Sequence, residues 1–238
     1  MLRQRLDTLV ERFGLPPGSA QRLERLLSIV AEDRRAPTSV REPLAGVDLH
    51  LADSLSVIAL PEGIRGLPEV ADIGSGAGFP GIVLAIALPE ARFDLIEAST
   101  RKCEFLRDLI AAVRVDNANV VCARVEQWAA AEGAEAYAGA TVRAVGRLAT
   151  LVEYAAPLLR SGGRLVALKG RRDEAEERQA ASAAAVLGMQ PHSVRRAAPF
   201  ASSRNRHLYS YEKVGICPAG FPRRPGMARK RPLGGRLP

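Results

Sequence analysis

The chain has 238 residues, of which 47% are apolar and 25% charged, a composition typical of soluble globular proteins that excludes a wholly disordered chain. No stretch reaches the roughly 18 uncharged apolar residues of a membrane span. Arg3, Arg5 and Asp7 interrupt the start of the chain, which excludes a secretory signal, so we expect a cytoplasmic protein with no membrane contact. The net charge is +8, but residues 215–238 hold six basic residues and no acidic one, which leaves residues 1–214 at only +2.

Cysteine and histidine positions argue against a metal site. The three cysteines, Cys103, Cys122 and Cys217, are odd in number and widely spaced, so they form neither a disulfide framework nor a zinc pattern. We expect two of them to be small buried apolar residues and the third to be a free thiol in the tail. The histidines are too scattered to supply a metal site from one short motif.

Both ends of the chain differ from its middle. Apolar residues recur at helical spacing through residues 1–66, which predicts an N-terminal helical extension. Residues 215–238 are rich in proline, glycine and basic residues and have almost no apolar clustering. This segment cannot bury enough surface to fold alone, so we expect a disordered basic tail.

Residues 67–214 alternate between short apolar runs and helical patterns. Such alternation predicts a parallel sheet that is covered by helices on both faces. Two late strands have no helix between them, which predicts an antiparallel pair at one end of the sheet. The predicted strands are 69–73, 92–96, 119–123, 140–145, 164–168, 191–195 and 207–214, and the predicted helices are 79–88, 100–113, 148–159 and 171–187.

A glycine-rich loop at residues 74–78 lies between the first strand and the first helix of this region. Ligands of open parallel sheets bind beyond the carboxyl ends of the strands, where this loop is expected. The six residues from Gly76 to Gly81 satisfy GxGxxG, and Glu97 follows at the distance of a ribose-binding acid, which indicates a dinucleotide site. The segment from Asp72 to Gly78 also satisfies DxGxGxG, the first motif of class I S-adenosylmethionine methyltransferases. Asp72 and Gly74 favour the methyltransferase, because they place the turn directly at the strand end.

Several segments in order resemble the bacterial ribosomal RNA small subunit methyltransferase G family, also called glucose-inhibited division protein B. A generic methyltransferase would share only the glycine motif, whereas here Phe79, Pro80 and Gly81 extend it, and a separate segment places His50 before Asp53 and Ser54. The matching segments are 38–41, 50–55, 72–81, 105–107, 124–126, 143–144, 167–170 and 206–208. The resemblance implies a class I S-adenosylmethionine-dependent methyltransferase with a Rossmann-like α/β fold, which methylates N7 of a guanine in 16S ribosomal RNA.

The resemblance also implies which residues bind S-adenosylmethionine. Carried over by position, they are Gly74, Gly76, Gly78, Phe79, Glu97, Ala98, Ser99, Val125, Glu126 and Arg143. Guanine N7 carries a lone pair and no proton, so we expect no essential general base and assign no catalytic residue. The expected partner is small-subunit ribosomal RNA, and the expected state is a monomer.

Two other function classes remain open on sequence alone. The overlapping GxGxxG fits an NAD-dependent oxidoreductase, and the chain could also be a non-catalytic RNA-binding protein that keeps the loop. His50, Asp53, Lys169 and Arg206 are further candidates for guiding RNA or shaping the site.

Overall fold

A computed structural model describes residues 1–201 and 203–235 of the chain. The N-terminal segment forms helices α1 (Leu2–Phe13), α2 (Ser19–Glu32) and α3 (Pro43–Gly46). A π-helical turn at Val47–Ala52, the short helix α4 (Asp53–Leu55) and a 3-10 turn at Ser56–Ala59 follow without a break. None of the described helices is long and apolar enough to cross a bilayer.

Strands and helices then alternate, as the sequence predicts. The elements are β1 (Glu69–Ile73), α5 (Gly81–Ala87), β2 (Arg92–Glu97), α6 (Thr100–Val113), β3 (Ala118–Cys122), α7 (Val125–Ala129), β4 (Tyr137–Arg143), α8 (Leu148–Ala155), β5 (Leu159–Lys169), α9 (Glu174–Val186), β6 (Met189–Ala197), β7 (Arg206–Lys213) and α10 (Met227–Lys230).

The seven strands form one sheet in the order β3-β2-β1-β4-β5-β7-β6. Strands β1 to β5 are parallel, and β7 runs antiparallel to both β5 and β6. This arrangement confirms the predicted α/β class and the antiparallel pair at one end. Because β7 is antiparallel, its first residues lie at the edge where the parallel strands end, so Lys169 of β5 is in register with His207 of β7.

The core has two layers, one on each face of the sheet. Side chains of α1, α2, α5 and α6 pack together on one face, with Phe93 and Leu95 of β2 among their buried neighbours. The other face is covered by α7, α8 and α9 and includes Ile73 of β1 and Ile96 of β2. The N-terminal helices therefore extend the α5–α6 layer.

The sequence predicts a disordered C-terminal segment, but in the structure this segment is packed on the body. Residues 215–235 run along the α7–α9 side of the molecule, where Phe221 and Leu233 pack on the apolar cluster and Ala228 is buried. The expectation was wrong for these residues because it considered only what the segment could bury by itself. A few apolar side chains suffice when the body supplies the facing surface. The rest of the predicted tail, residues 236–238, lies outside the described residues.

The structure also corrects the expectation for two cysteines. Cys103 and Cys122 form a disulfide, with their Cα atoms 5.8 Å apart. Cys122 ends β3 in register with Glu97, and α6 starts three residues after Glu97, so the fold brings together two residues that sequence spacing separates. Cys217 is free and half-buried.

Candidate cofactor and substrate site

The glycine loop leaves β1 in a backbone conformation that side chains rarely adopt. Gly74, Gly76 and Gly78 have φ angles of 72°, 56° and 91°. The amides of Gly74 and Ser75 donate to the carbonyl oxygen of Ile96 at 2.8 and 3.2 Å, which ties the loop to β2. A Cβ on Gly74 would lie 2.7 Å from a Val145 methyl group, so glycine is needed for this close approach. The loop is thus held against the ends of two strands.

Asp72 supports the loop from the buried interior and does not face the cavity. Its carboxylate is fully buried and accepts hydrogen bonds from the Gly81 amide at 3.2 Å and the Thr141 hydroxyl at 3.1 Å. Burial raises the pKa of Asp72 to about 6. A Cβ on Gly81 would lie 2.6 Å from the Asp72 carboxylate, so this glycine lets α5 begin directly beside the strand end. Asp72 is therefore a positioning residue of the loop.

Glu97 closes the loop from the end of β2. Its two carboxylate oxygens accept hydrogen bonds from the amides of Gly76 and Ser99, at 3.1 and 3.0 Å. The Lys102 ammonium lies 3.9 Å from the oxygen that Gly76 contacts. A carboxylate offers about four acceptor positions. Two backbone donors therefore leave Glu97 able to accept hydroxyl groups from a ligand in the cavity.

A cluster of charged residues from three parts of the chain faces the loop, with the buried Asp53 of the N-terminal extension at its centre. The Arg143 guanidinium at the end of β4 donates to the Leu49 carbonyl at 3.0 Å and to the Asp53 carboxylate at 3.2 Å. Arg206, the first residue of β7, lies 3.4 Å from the other oxygen of Asp53. One carboxylate thus joins two arginines that come from distant parts of the chain.

His50 and Phe79 form a stacked pair next to this cluster. Their ring centroids are 4.2 Å apart with an interplanar angle of 10°, and the Arg143 guanidinium lies 5.3 Å from the Phe79 centroid. Arg143 lies 3.4 Å from Nδ1 of His50. Since a guanidinium can only donate, Nδ1 accepts, and the proton of the neutral ring is on Nε2, which donates to Thr38 at 3.2 Å. Burial and the Arg143 charge lower the pKa of His50 to about 4, so the ring is neutral at physiological pH.

These groups surround a cavity of about 950 Å³ at the carboxyl edge of the parallel strands. Six of the ten residues that the resemblance implies for the cofactor line it. They are Gly74, Gly76, Phe79, Glu97, Ala98 and Arg143. The candidates His50, Asp53, Lys169 and Arg206 line the same cavity.

The other four implied residues lie behind or beside the cavity wall. Gly78 faces α5, where an added Cβ would lie 2.6 Å from the Ile82 side chain. Ser99 is not among the lining residues, and its amide donates to the Glu97 carboxylate. Val125 and Glu126 are buried, and Glu126 accepts a 2.7 Å hydrogen bond from the Gly226 amide in the C-terminal segment.

Lys169 is paired and does not act as a free cation. Its ammonium donates to the Gly146 carbonyl at 2.9 Å and to the Glu176 carboxylate at 2.8 Å. Glu176 also accepts from the Leu148 amide at 2.7 Å. Lys169 therefore fixes the loop between β4 and α8, which forms part of the cavity wall.

Sequence reasoning missed two cations of the cavity wall, Lys102 and Arg229. Lys102 follows Glu97 on the first turn of α6, a spacing that could have indicated it. Arg229 gave no signal, because its segment was expected to be disordered. Among residues 1–201 and 203–235, no group of three or more His, Cys, Asp or Glu side chains is arranged to hold a metal ion.

The sequence matches a family model described as rRNA small subunit methyltransferase G over residues 20–209. The chain belongs to this family. A family member from Rubrobacter xylanophilus is 42% identical over 218 residues, covering 90% of this chain and 83% of the relative. Another from Desulfitobacterium hafniense is 36% identical, covering 82% of this chain and 81% of the relative.

Solved structures with low sequence identity to this chain share its fold. A predicted O-methyltransferase from Agrobacterium tumefaciens superposes with a TM-score of 0.51 at 23% identity, covering 69% of this chain and 80% of that one. A mutant of MtNAS superposes with a TM-score of 0.56 at 15% identity, covering 88% of this chain and 76% of that one. The predicted class I methyltransferase fold, Rossmann-like and α/β, is thereby confirmed.

Two groups of the site titrate in the same pH window with opposite effects on stability. Between pH 6.5 and about 4 the unfolded chain protonates His50 and the folded chain does not, so acidification costs stability. Between pH 6 and 3.8 the folded chain protonates Asp72 and the unfolded chain does not, so acidification adds stability. Urea unfolding across this window measures the free energy of unfolding as the pH falls. Its decrease should be shallower for His50→Gln than for the wild type, and steeper for Asp72→Asn. Slopes that shift in the same direction for both variants would contradict this assignment.

Proposed function

We propose that this protein uses S-adenosylmethionine to methylate N7 of a guanine in the 16S ribosomal RNA of the small subunit. The family name supports an RNA methyltransferase, and the site supports the cofactor. The observation that carries the proposal is the Glu97 carboxylate, held by the amides of Gly76 and Ser99 with acceptor positions left over. Two ribose hydroxyls of S-adenosylmethionine fit those positions.

The cavity also has the size and the lining for a second molecule. Its volume of about 950 Å³ lies at the upper end of ordinary ligand sites. The glycine loop and Glu97 line one part, and the stacked rings of His50 and Phe79 line another. An aromatic surface of this kind can hold a base that has been turned out of an RNA loop, as RNA-modifying enzymes require.

Bound at the glycine loop, S-adenosylmethionine would supply an activated methyl group as a sulfonium. The protein's task is to align the N7 lone pair of the guanine with that group, and such alignment can contribute several kcal/mol. No residue has to remove a proton from N7. The methylated base is a cation, and the low pKa of His50 keeps its ring neutral, so His50 adds no positive charge beside the product. The negative charge of Asp53 also neutralises the charge of one of the two arginines beside it.

Calorimetry with S-adenosylmethionine and with NADH tests the cofactor. We expect micromolar or tighter binding of S-adenosylmethionine, corresponding to about −8 kcal/mol, and no binding of NADH. The opposite result would favour the oxidoreductase and overturn the proposal.

Mapping of N7-methylguanosine tests the substrate. Ribosomal RNA from a strain that lacks the gene should lose one such nucleotide, and the purified protein with S-adenosylmethionine should restore it to isolated small subunits or their RNA. Unchanged modification in the deletion strain would exclude the proposed reaction and favour a non-catalytic RNA-binding protein.

A further inference from the structure

The C-terminal strap, which we define as residues 215–235, is fixed to the body by a buried ion pair. Arg223 donates to both carboxylate oxygens of Glu153 at 2.6 and 2.5 Å, and the Glu153 side chain is only 2% exposed. A carboxylate this deeply buried needs a charged partner, and the planar guanidinium fits it with two bonds. The strap is thus attached at a specific position.

Further contacts tie the strap to three helices of the body. The Gly226 amide donates to Glu126 on α7, the Thr150 hydroxyl on α8 donates to the Ala228 carbonyl at 3.0 Å, and the Gln179 amide on α9 donates to the Leu233 carbonyl at 3.1 Å. The backbone between Arg223 and Leu233 therefore follows the surface closely.

Besides Arg223, residues 215–235 carry four other cations. Arg224, Arg229, Lys230 and Arg231 are exposed, and none forms an ion pair with a carboxylate of the described part of the chain. Arg229 also lines the large cavity. The strap thus presents four unneutralised charges, one of which reaches the proposed site.

Two cations of the body extend this face. Arg124 directly precedes α7, whose Glu126 contacts the strap, and Arg147 directly precedes α8, whose Thr150 contacts it. Both are exposed and, within residues 1–201 and 203–235, have no ion-pair partner. The cations of the strap and the body therefore form one basic face beside the mouth of the cavity.

We propose that this face is a docking surface for the phosphodiester backbone of RNA, which places the target guanine over the cavity. The inference depends on the proposed function for the identity of the polyanion and adds the surface that holds it. Arginine-rich faces bind phosphates through forked hydrogen bonds and fix the register of a nucleic acid without reading its sequence. A folded strap gives these contacts a defined distance from the site.

A charge-removing variant tests the docking surface. The strap variant, Arg229→Gln with Lys230→Gln, keeps the Arg223 anchor. The control variant, Arg92→Gln with Arg164→Gln, removes two cations near the end of the sheet where the parallel strands begin. Fluorescence anisotropy with a labelled RNA stem-loop, measured over a salt series, should show weaker binding for the strap variant. The slope of log K against log salt is negative, and in the strap variant it should become shallower by about 1.5. Each lost phosphate contact reduces its magnitude by roughly 0.7 to 0.9. The control should keep the wild-type slope.

An equal slope in the wild type and the strap variant would overturn the inference, as would an equal loss in both double variants. Binding of the strap face to anionic phospholipid vesicles, with RNA affinity unaffected by its charges, would also overturn it. S-adenosylmethionine affinity, measured by calorimetry on the same samples, separates this inference from the proposed function. A wild type that fails to bind the cofactor contradicts the function, whereas intact cofactor binding with an unchanged salt slope contradicts only the docking surface.

An anchor-breaking variant tests whether the face must be folded. Arg223→Gln with Glu153→Gln removes the buried charges as a pair and keeps the four other cations. We expect weaker RNA binding than in the wild type, because the cations lose their fixed positions. Full wild-type RNA affinity in this variant would show that the cations act as a loose tail, and the docking surface as proposed would be wrong.

Discussion

Glu97→Ala should weaken S-adenosylmethionine binding by about 100-fold or more. The change removes the proposed acceptor for two ribose hydroxyls and also the acceptor that holds the Gly76 and Ser99 amides. A hydrogen bond to a charged group contributes about 1.5–3 kcal/mol, and each 1.4 kcal/mol corresponds to a tenfold change in affinity. The loss of two such bonds accounts for the expected effect, which calorimetry measures directly.

Two further variants define this result. Glu97→Gln keeps one acceptor oxygen and should lose less affinity than Glu97→Ala. Glu104→Ala removes an exposed carboxylate from α6, close in sequence but outside the cavity, and should bind the cofactor as the wild type does. Near-normal affinity in Glu97→Ala would show that the glycine loop does not bind the ribose, and would remove the main support for the proposed cofactor.

Arg143→Met should lower the free energy of unfolding by about 3 kcal/mol, the usual cost of removing one partner of a buried ion pair. The Asp53 side chain is 6% exposed and would keep only Arg206, whose side chain is 36% exposed and lies 3.4 Å away. The Leu49 carbonyl would also lose its donor. Urea unfolding at neutral pH measures the loss.

The matched control is Arg3→Met, which removes an exposed arginine from surface ion pairs with Asp7 and Glu24. It should cost less than about 1 kcal/mol. The double variant Arg143→Met with Asp53→Leu should recover part of the stability that Arg143→Met loses, because no buried carboxylate is left without its partner. A double variant that is less stable than the sum of its single changes would contradict this account.

Local sequence patterns predict the central part of the structure well. The strand before Gly74, the loop itself and the acid at the end of the next strand follow from short-range rules, because glycine conformation and strand-to-helix connections are local properties. The antiparallel end pair also follows from the absence of a helix between the last two strands, whereas the order of the strands in the sheet was not predicted from the sequence. The proposed contacts of these residues with S-adenosylmethionine stay predictions.

Contacts between distant segments account for what the sequence could not show. The disulfide of Cys103 with Cys122 depends on the pairing of β2 with β3, and the packed strap depends on the surface that α8 and α9 offer. Glu126 illustrates the same point. The resemblance implies that it binds the cofactor, but the Gly226 amide, from a segment expected to be disordered, occupies one of its carboxylate oxygens.

The antiparallel course of β7 sets an order in which the site can be completed during synthesis. Asp53 and Arg143 can meet once β4 has joined the sheet, but Arg206 reaches Asp53 only after the hairpin of β6 and β7 has paired with β5. The Arg223 anchor follows later still. Because chains emerge from the ribosome amino end first, the glycine loop can form long before the arginine cluster and the basic face are complete. A nascent chain should therefore be able to form the glycine loop and Glu97 before it presents the complete basic face to a polyanion such as ribosomal RNA.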